Sequence, residues 1–116
     1  MATDFYQREF ENRTRKAESA CNSLFVNLAD CDAMEYAERL CIYNATLDDA
    51  KKSWANATGR DPNEYHDGGR YDLDNMTEYR WRLDKTLGRV RVLKTIARRI
   101  FDKDEWLTAL KTFGLV

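Results

Sequence analysis

The sequence predicts an all-α fold, an antiparallel bundle of three long helices plus a short C-terminal helix, as one domain over residues 1–116. Three observations carry this. Proline occurs once and glycine only five times in 116 residues, too few breakers for the many turns of a β-sandwich. Apolar residues recur at steps of three and four along most of the chain. Two short polar links and one long Pro- and Gly-containing stretch separate the periodic segments.

The first helix is expected from Asp4 to Leu28, with Thr3 as its N-cap. Phe10, Ala17, Cys21, Leu24 and Leu28 keep the spacing of one buried stripe. Ala29-Asp30-Cys31 forms a link, and Asp30 or Asp32 caps the second helix. There Tyr36, Leu40, Tyr43, Leu47, Ala50, Trp54 and Ala57 alternate steps of four and three, the strongest periodic signal in the chain, and Gly59 closes it. Residues 60–72 read as the long loop. The third helix is expected from Leu73 to Phe101, with Met76, Tyr79, Leu83, Leu87, Val90, Ala97 and Phe101 on its main stripe. Asp102 or Asp104 then caps a fourth helix with Trp106, Leu107, Leu110 and Phe113 inward, ended by Gly114. Three long helices with short links pack side by side, and the fourth covers one end.

Composition excludes several classes. Nineteen Lys and Arg face 20 Asp and Glu, without the basic excess of a dedicated nucleic-acid binder. With 43% apolar residues the chain is too hydrophobic for disorder. No apolar run approaches the roughly 20 residues of a membrane span, and charges stand where a signal peptide has its apolar segment. A cytoplasmic protein without membrane contact is expected. Cys21, Cys31 and Cys41 form no C-x-x-C pair and read as reduced thiols, so neither metal nor cofactor is expected. The N-x-T triplets at Asn12, Asn44, Asn56 and Asn75 are read as chance.

The near-zero total conceals segregation. Residues 29–50 carry a local charge of −5, and residues 76–101 one of +6. One reading places the second and third helices side by side with their flanks attracting. The other turns the basic helix toward an acidic protein surface or a polyanion. Angular position distinguishes a second face on the third helix. With Tyr79 at zero, the main stripe lies between 0° and about 80°, whereas Trp81, Arg82, Lys85, Arg89, Val92 and Ile96 fall between about 200° and 300°. A solvated face does not ordinarily hold Trp81, Val92 and Ile96 together. Either the fourth helix and the loop tyrosines Tyr65 and Tyr71 cover it, or a partner does. Gly88, in mid-helix, fits close approach by another backbone. The run Tyr79-Arg80-Trp81-Arg82 interleaves aromatics and bases, as single-strand binders do.

The loop holds the remaining chemistry. Arg60 and His66, the only histidine, form R-D-x4-H, which resembles the short Arg and His motif of HEPN-type ribonucleases, themselves small all-α domains. The resemblance covers seven residues and implies that Arg60 steadies a scissile phosphate while His66 moves a proton. In that family the motif opens a late helix, whereas here it falls in a loop. Glu35-x-x-Glu38 with Glu64-x-x-Asp67 resembles the acidic magnesium pattern of all-α nucleotide pyrophosphatases, which face their two pairs on adjacent helices. Asn63, Asp67 and Asp74 echo an EF-hand loop, with Tyr65 and Arg70 at unsuitable positions.

The expectation is a non-enzymatic protein-binding module, an inhibitor or adaptor of a larger assembly, acting through Trp81, Arg82, Lys85, Arg89 and Arg99. The profile resembles that of small proteins carried by phages and mobile elements. Nucleic-acid binding by the basic helix, through Arg80, Arg91 and Arg98, is the second reading. Pairing of the second face with its own copy, as a homodimer, is a further outcome.

Overall fold

A computed structural model of the chain describes residues 2–65 and 76–116, with side chains from Phe5 onward. The fold is all-α: α1 (Ala2–Asn27), α2 (Ala33–Thr58), α3 (Thr77–Ile100) and α4 (Lys103–Thr112), with a 3-10 turn at Pro62–Glu64. The three long helices form an antiparallel bundle measuring 49 × 22 × 21 Å, and α4 lies against α2.

Local chemistry sets the boundaries. Asp32 caps α2, its carboxylate accepting from the Glu35 amide at 2.8 Å. Gly59 ends that helix with φ at 73°, a left-handed conformation that glycine adopts without steric cost. Asp102 accepts from the amides of Asp104 and Glu105 and so starts α4 with only Phe101 and Asp102 between it and α3. The 3-10 turn has a capping box, Asp61 with Glu64, which periodicity did not foresee. Helix α1 begins before Thr3, so the expected N-cap lies inside the helix instead.

The α2 stripe is buried as read, from Tyr36 to Trp54. Its two inner tyrosines also tie the helices together. Tyr36 donates to the Leu24 carbonyl at 3.0 Å, one of the last four carbonyls of α1 that the helix itself leaves unpaired. Tyr43 donates to Thr86 Oγ1 at 2.7 Å, because that hydroxyl is already donating to the Leu83 carbonyl. On α3 the buried residues are Arg80, Leu83, Thr86, Val90, Leu93 and Ala97. From Leu83 onward that arc is rotated by about 40° from the periodic stripe, so Leu87 is only partly covered. The rotation follows from the neighbour: α3 packs principally on α1 and reaches α2 through side chains.

The expectation that the α3 bases face the α2 acids is corrected for Arg82, while α2 and α3 do meet through Tyr43 with Thr86 and Arg80 over Trp54. Arg82 instead grips Glu18 of α1 with two bonds, 2.6 and 2.9 Å. Glu35, Glu38, Asp48 and Asp49 of α2 are exposed. A second correction concerns α4. Trp106 stacks on Phe101 at 5.4 Å and both rings lean on Tyr36, so α4 faces α2, and Leu107 points outward at 42% exposure.

Two measurements test this core. Leu83 has no exposed surface, so Leu83→Ala should cost about 3 kcal/mol, read as a lower urea midpoint. Burial pushes the hydroxyls of Tyr36 and Tyr43 up to about 12, and Tyr65 is raised by burial and by its bond to Asp84. A raised folded value means the native state holds its protons longer than the unfolded chain, so stability falls as pH climbs past the ordinary value of 10. Tyrosinate absorbance should show these three ionising only together with unfolding.

A groove between the first and third helices

Neither the fourth helix nor Tyr65 covers the second face of α3. Trp106 is committed to α2, and Tyr65 packs edge-on against Trp54 at 5.1 Å. Tyr71 lies outside the described residues. Trp81, Val92 and Ile96 are accordingly exposed by 52, 59 and 37%.

Val92 and Ile96 border a groove of about 700 Å³ between the second half of α1 and α3, and Trp81 lies on the same outer face of α3. Phe25, Val92 and Ile96 supply its apolar walls, with Cys21 and Leu93 at the base. Phe25 is 72% exposed, which for a phenylalanine beside two other uncovered apolar side chains makes a continuous patch. Lys85 and Arg89 line the same groove, and Asn22 adds an exposed amide. Among the described residues no carboxylate lines it. The ammonium of Lys85 sits 4.8 Å from the centre of the Trp81 ring, holding that indole on the outer surface of α3. Burial pushes the Cys21 thiol up, and the nearby Arg89 charge offsets part of this.

Gly88 lies along this open side. A methyl built on it meets nothing within 4 Å, so among the described residues no backbone makes the close approach expected there.

The expected site residues therefore separate. Trp81, Lys85 and Arg89 belong to the open face. Arg82 is partly buried between Glu18 and the Tyr79 ring, 4.5 Å from its centre, and fastens α1 to α3. Arg99 is exposed in the last turn of α3, beyond the groove. Sequence reasoning missed Phe25 and Asn22, which come from α1. A signal was present: Phe25-Val26 places two large apolar residues off the α1 stripe.

The other bases serve elsewhere. Arg80 is buried, its guanidinium 4.2 Å from the Tyr65 ring centre and 5.4 Å from that of Trp54. Tyr65 donates to Asp84 at 2.7 Å, so the cage pins the segment after α2 onto α3. Arg80 is thus structural, and its assignment to a polyanion-binding surface is corrected. The Tyr79 ring is bracketed by Arg15 and Arg82 and its hydroxyl accepts from Arg15, so the tetrad offers a base only Trp81 to stack on. Lys94 and Arg98 border a separate cleft of about 280 Å³ between α2, α3 and α4.

Of the loop chemistry, Arg60 is exposed, while His66, Asp67, Arg70 and Asp74 lie outside the described residues. Glu64 is engaged in its capping box, and it follows the end of a 26-residue helix that starts beside Glu35 and Glu38. Tyr65, beside Glu64, packs on Trp54, which lies about 24 Å along α2 from Glu38, too far for the two pairs to share one ion. No cluster of three metal-ligating side chains occurs among the described residues. No helix is long and apolar enough to cross a membrane among them. Comparison with protein-family models, characterised proteins and solved structures found no match.

The open space beside Gly88 makes a prediction about the free protein. Gly88→Ala should stabilise it by about 0.5–1 kcal/mol, through the helix propensity of alanine and a less flexible unfolded chain. A raised thermal midpoint in calorimetry is the expected result.

Proposed function

We propose that this chain is a non-enzymatic protein-binding module, an inhibitor or adaptor of a larger assembly, and that it engages its partner in the groove between α1 and α3. The observation that carries this reading is the groove itself: apolar walls of Phe25, Val92 and Ile96, a rim of Lys85 and Arg89, and Trp81 on the same outer face. Large aromatic and arginine side chains beside an apolar depression are the combination that concentrates binding energy in protein interfaces. The distribution of bases favours protein over nucleic acid. Arg80 and Arg82 are engaged within the fold, Lys94 and Arg98 border another cleft, and the apolar walls offer nothing to phosphate.

Site-specific photocrosslinking tests the assignment. A photoreactive phenylalanine analogue at Val92 should give a discrete, nuclease-resistant protein adduct in the expressing cells. The same analogue at Lys111, exposed on α4, should not. Ile96→Glu should abolish the Val92 adduct while circular dichroism shows the fold unchanged. Adducts at Val92 that vanish with nuclease would replace this reading with nucleic-acid binding.

A further inference from the structure

Resting on the reading that this groove takes a protein, we propose that its occupant is an amphipathic helix whose apolar face is flanked by carboxylates. The shape of the site argues for a helix. On the outer side of α3, Trp81, Lys85, Gly88, Val92 and Ile96 succeed one another at steps of four, three, four and four. That is the seam along which one helix lies against another, and from Trp81 to Ile96 it runs for about 22 Å, the length of roughly 15 helical residues. Gly88 stands near its midpoint with free space where a side chain would be, so a second backbone can approach closely there. Phe25 of α1 forms the opposite wall, so the occupant nests between two existing helices.

The charge specifies the flanks. Among the described residues Lys85 and Arg89 line the groove without a carboxylate, and the nearby Glu18 is held by Arg82. Carboxylates beside the occupant's apolar stripe would neutralise both cations as the groove is desolvated, whereas bases there would be repelled. The same feature disfavours a second copy of this chain. A two-fold axis passing near Gly88 would bring Arg89 of each copy toward the other, with no acid between them. The chain's own α4 is held on α2 by the Phe101, Trp106 and Tyr36 rings.

The test uses the full chain and two labelled peptides of about 18 residues, both with leucines at helical seam spacing, one flanked by glutamates and the other by lysines. Fluorescence anisotropy follows binding. Tryptophan emission reports contact at Trp81, since Trp54 and Trp106 are buried, and Trp81→Phe identifies that component. The glutamate peptide should bind at least about tenfold more tightly than the lysine peptide, and Lys85→Glu with Arg89→Glu should reverse the order. Equal binding of both peptides, an order unchanged by the double variant, or binding of neither would overturn the proposal. If the Val92 crosslink persists in that case, the protein-binding reading stands and only the acidic helix falls. If the crosslink is absent as well, both fall. A concentration-dependent dimer dispersed by Ile96→Glu would make a second copy the occupant and overturn the acidic helix.

Discussion

The three-ring cluster of Tyr36, Phe101 and Trp106 decides what the rest of the molecule leaves open. Phe101 follows the last residue of α3, and Trp106 lies in the first half of α4. Stacking these two rings at 5.4 Å and leaning both on Tyr36 turns the chain toward α2 immediately after α3 ends. Asp102 enforces the corner by accepting from the first amides of α4. Had α4 turned the other way, its apolar side would have lain over Val92 and Ile96. The large apolar area of three buried or half-buried aromatic rings outweighs that alternative.

Because α4 is taken, α3 is held from one side only. Three different fasteners do this along its length. Arg80 enters the cage of Trp54 and Tyr65, Arg82 clasps Glu18, and Thr86 accepts from Tyr43 while its own proton goes to the Leu83 carbonyl. Each uses a polar group where an apolar one would have served for burial alone. A cation over two aromatic rings and a bidentate ion pair require one geometry, whereas an apolar contact tolerates sliding. The outer face of α3 is thereby presented at a fixed rotation. Docking surfaces gain from such preorganisation, because little is then spent on ordering them when a partner arrives.

The basic character of α3 consequently divides by role. Arg80 and Arg82 stabilise the fold, Lys94 and Arg98 face the cleft beside α4, and Lys85 and Arg89 border the groove. A count of charges along the helix treats all of them alike. Phe25, Val92 and Ile96 contribute little to the stability of the isolated chain while exposed, so their burial is left to whatever fills the groove.

The sequence by itself determined the all-α class, the four helices, the Gly59 cap and the α2 core stripe, and narrowed two further caps to Asp30 or Asp32 and to Asp102 or Asp104. These depend on spacing and on interactions within a few residues, which a linear reading contains. It also showed that α3 has a second apolar face, since Trp81, Val92 and Ile96 share one angular sector whatever surrounds them. Only the tertiary structure decided whether that face is covered. Periodicity reports how residues are distributed around a single helix and carries no information about which neighbour lies on which side. The 40° rotation of the α3 core, the outward turn of Leu107, the enclosure of Arg80 and the entry of Phe25 into the groove all arise between helices. Their positions are set by how ridges and rings from distant parts of the chain fit together, which no local pattern records.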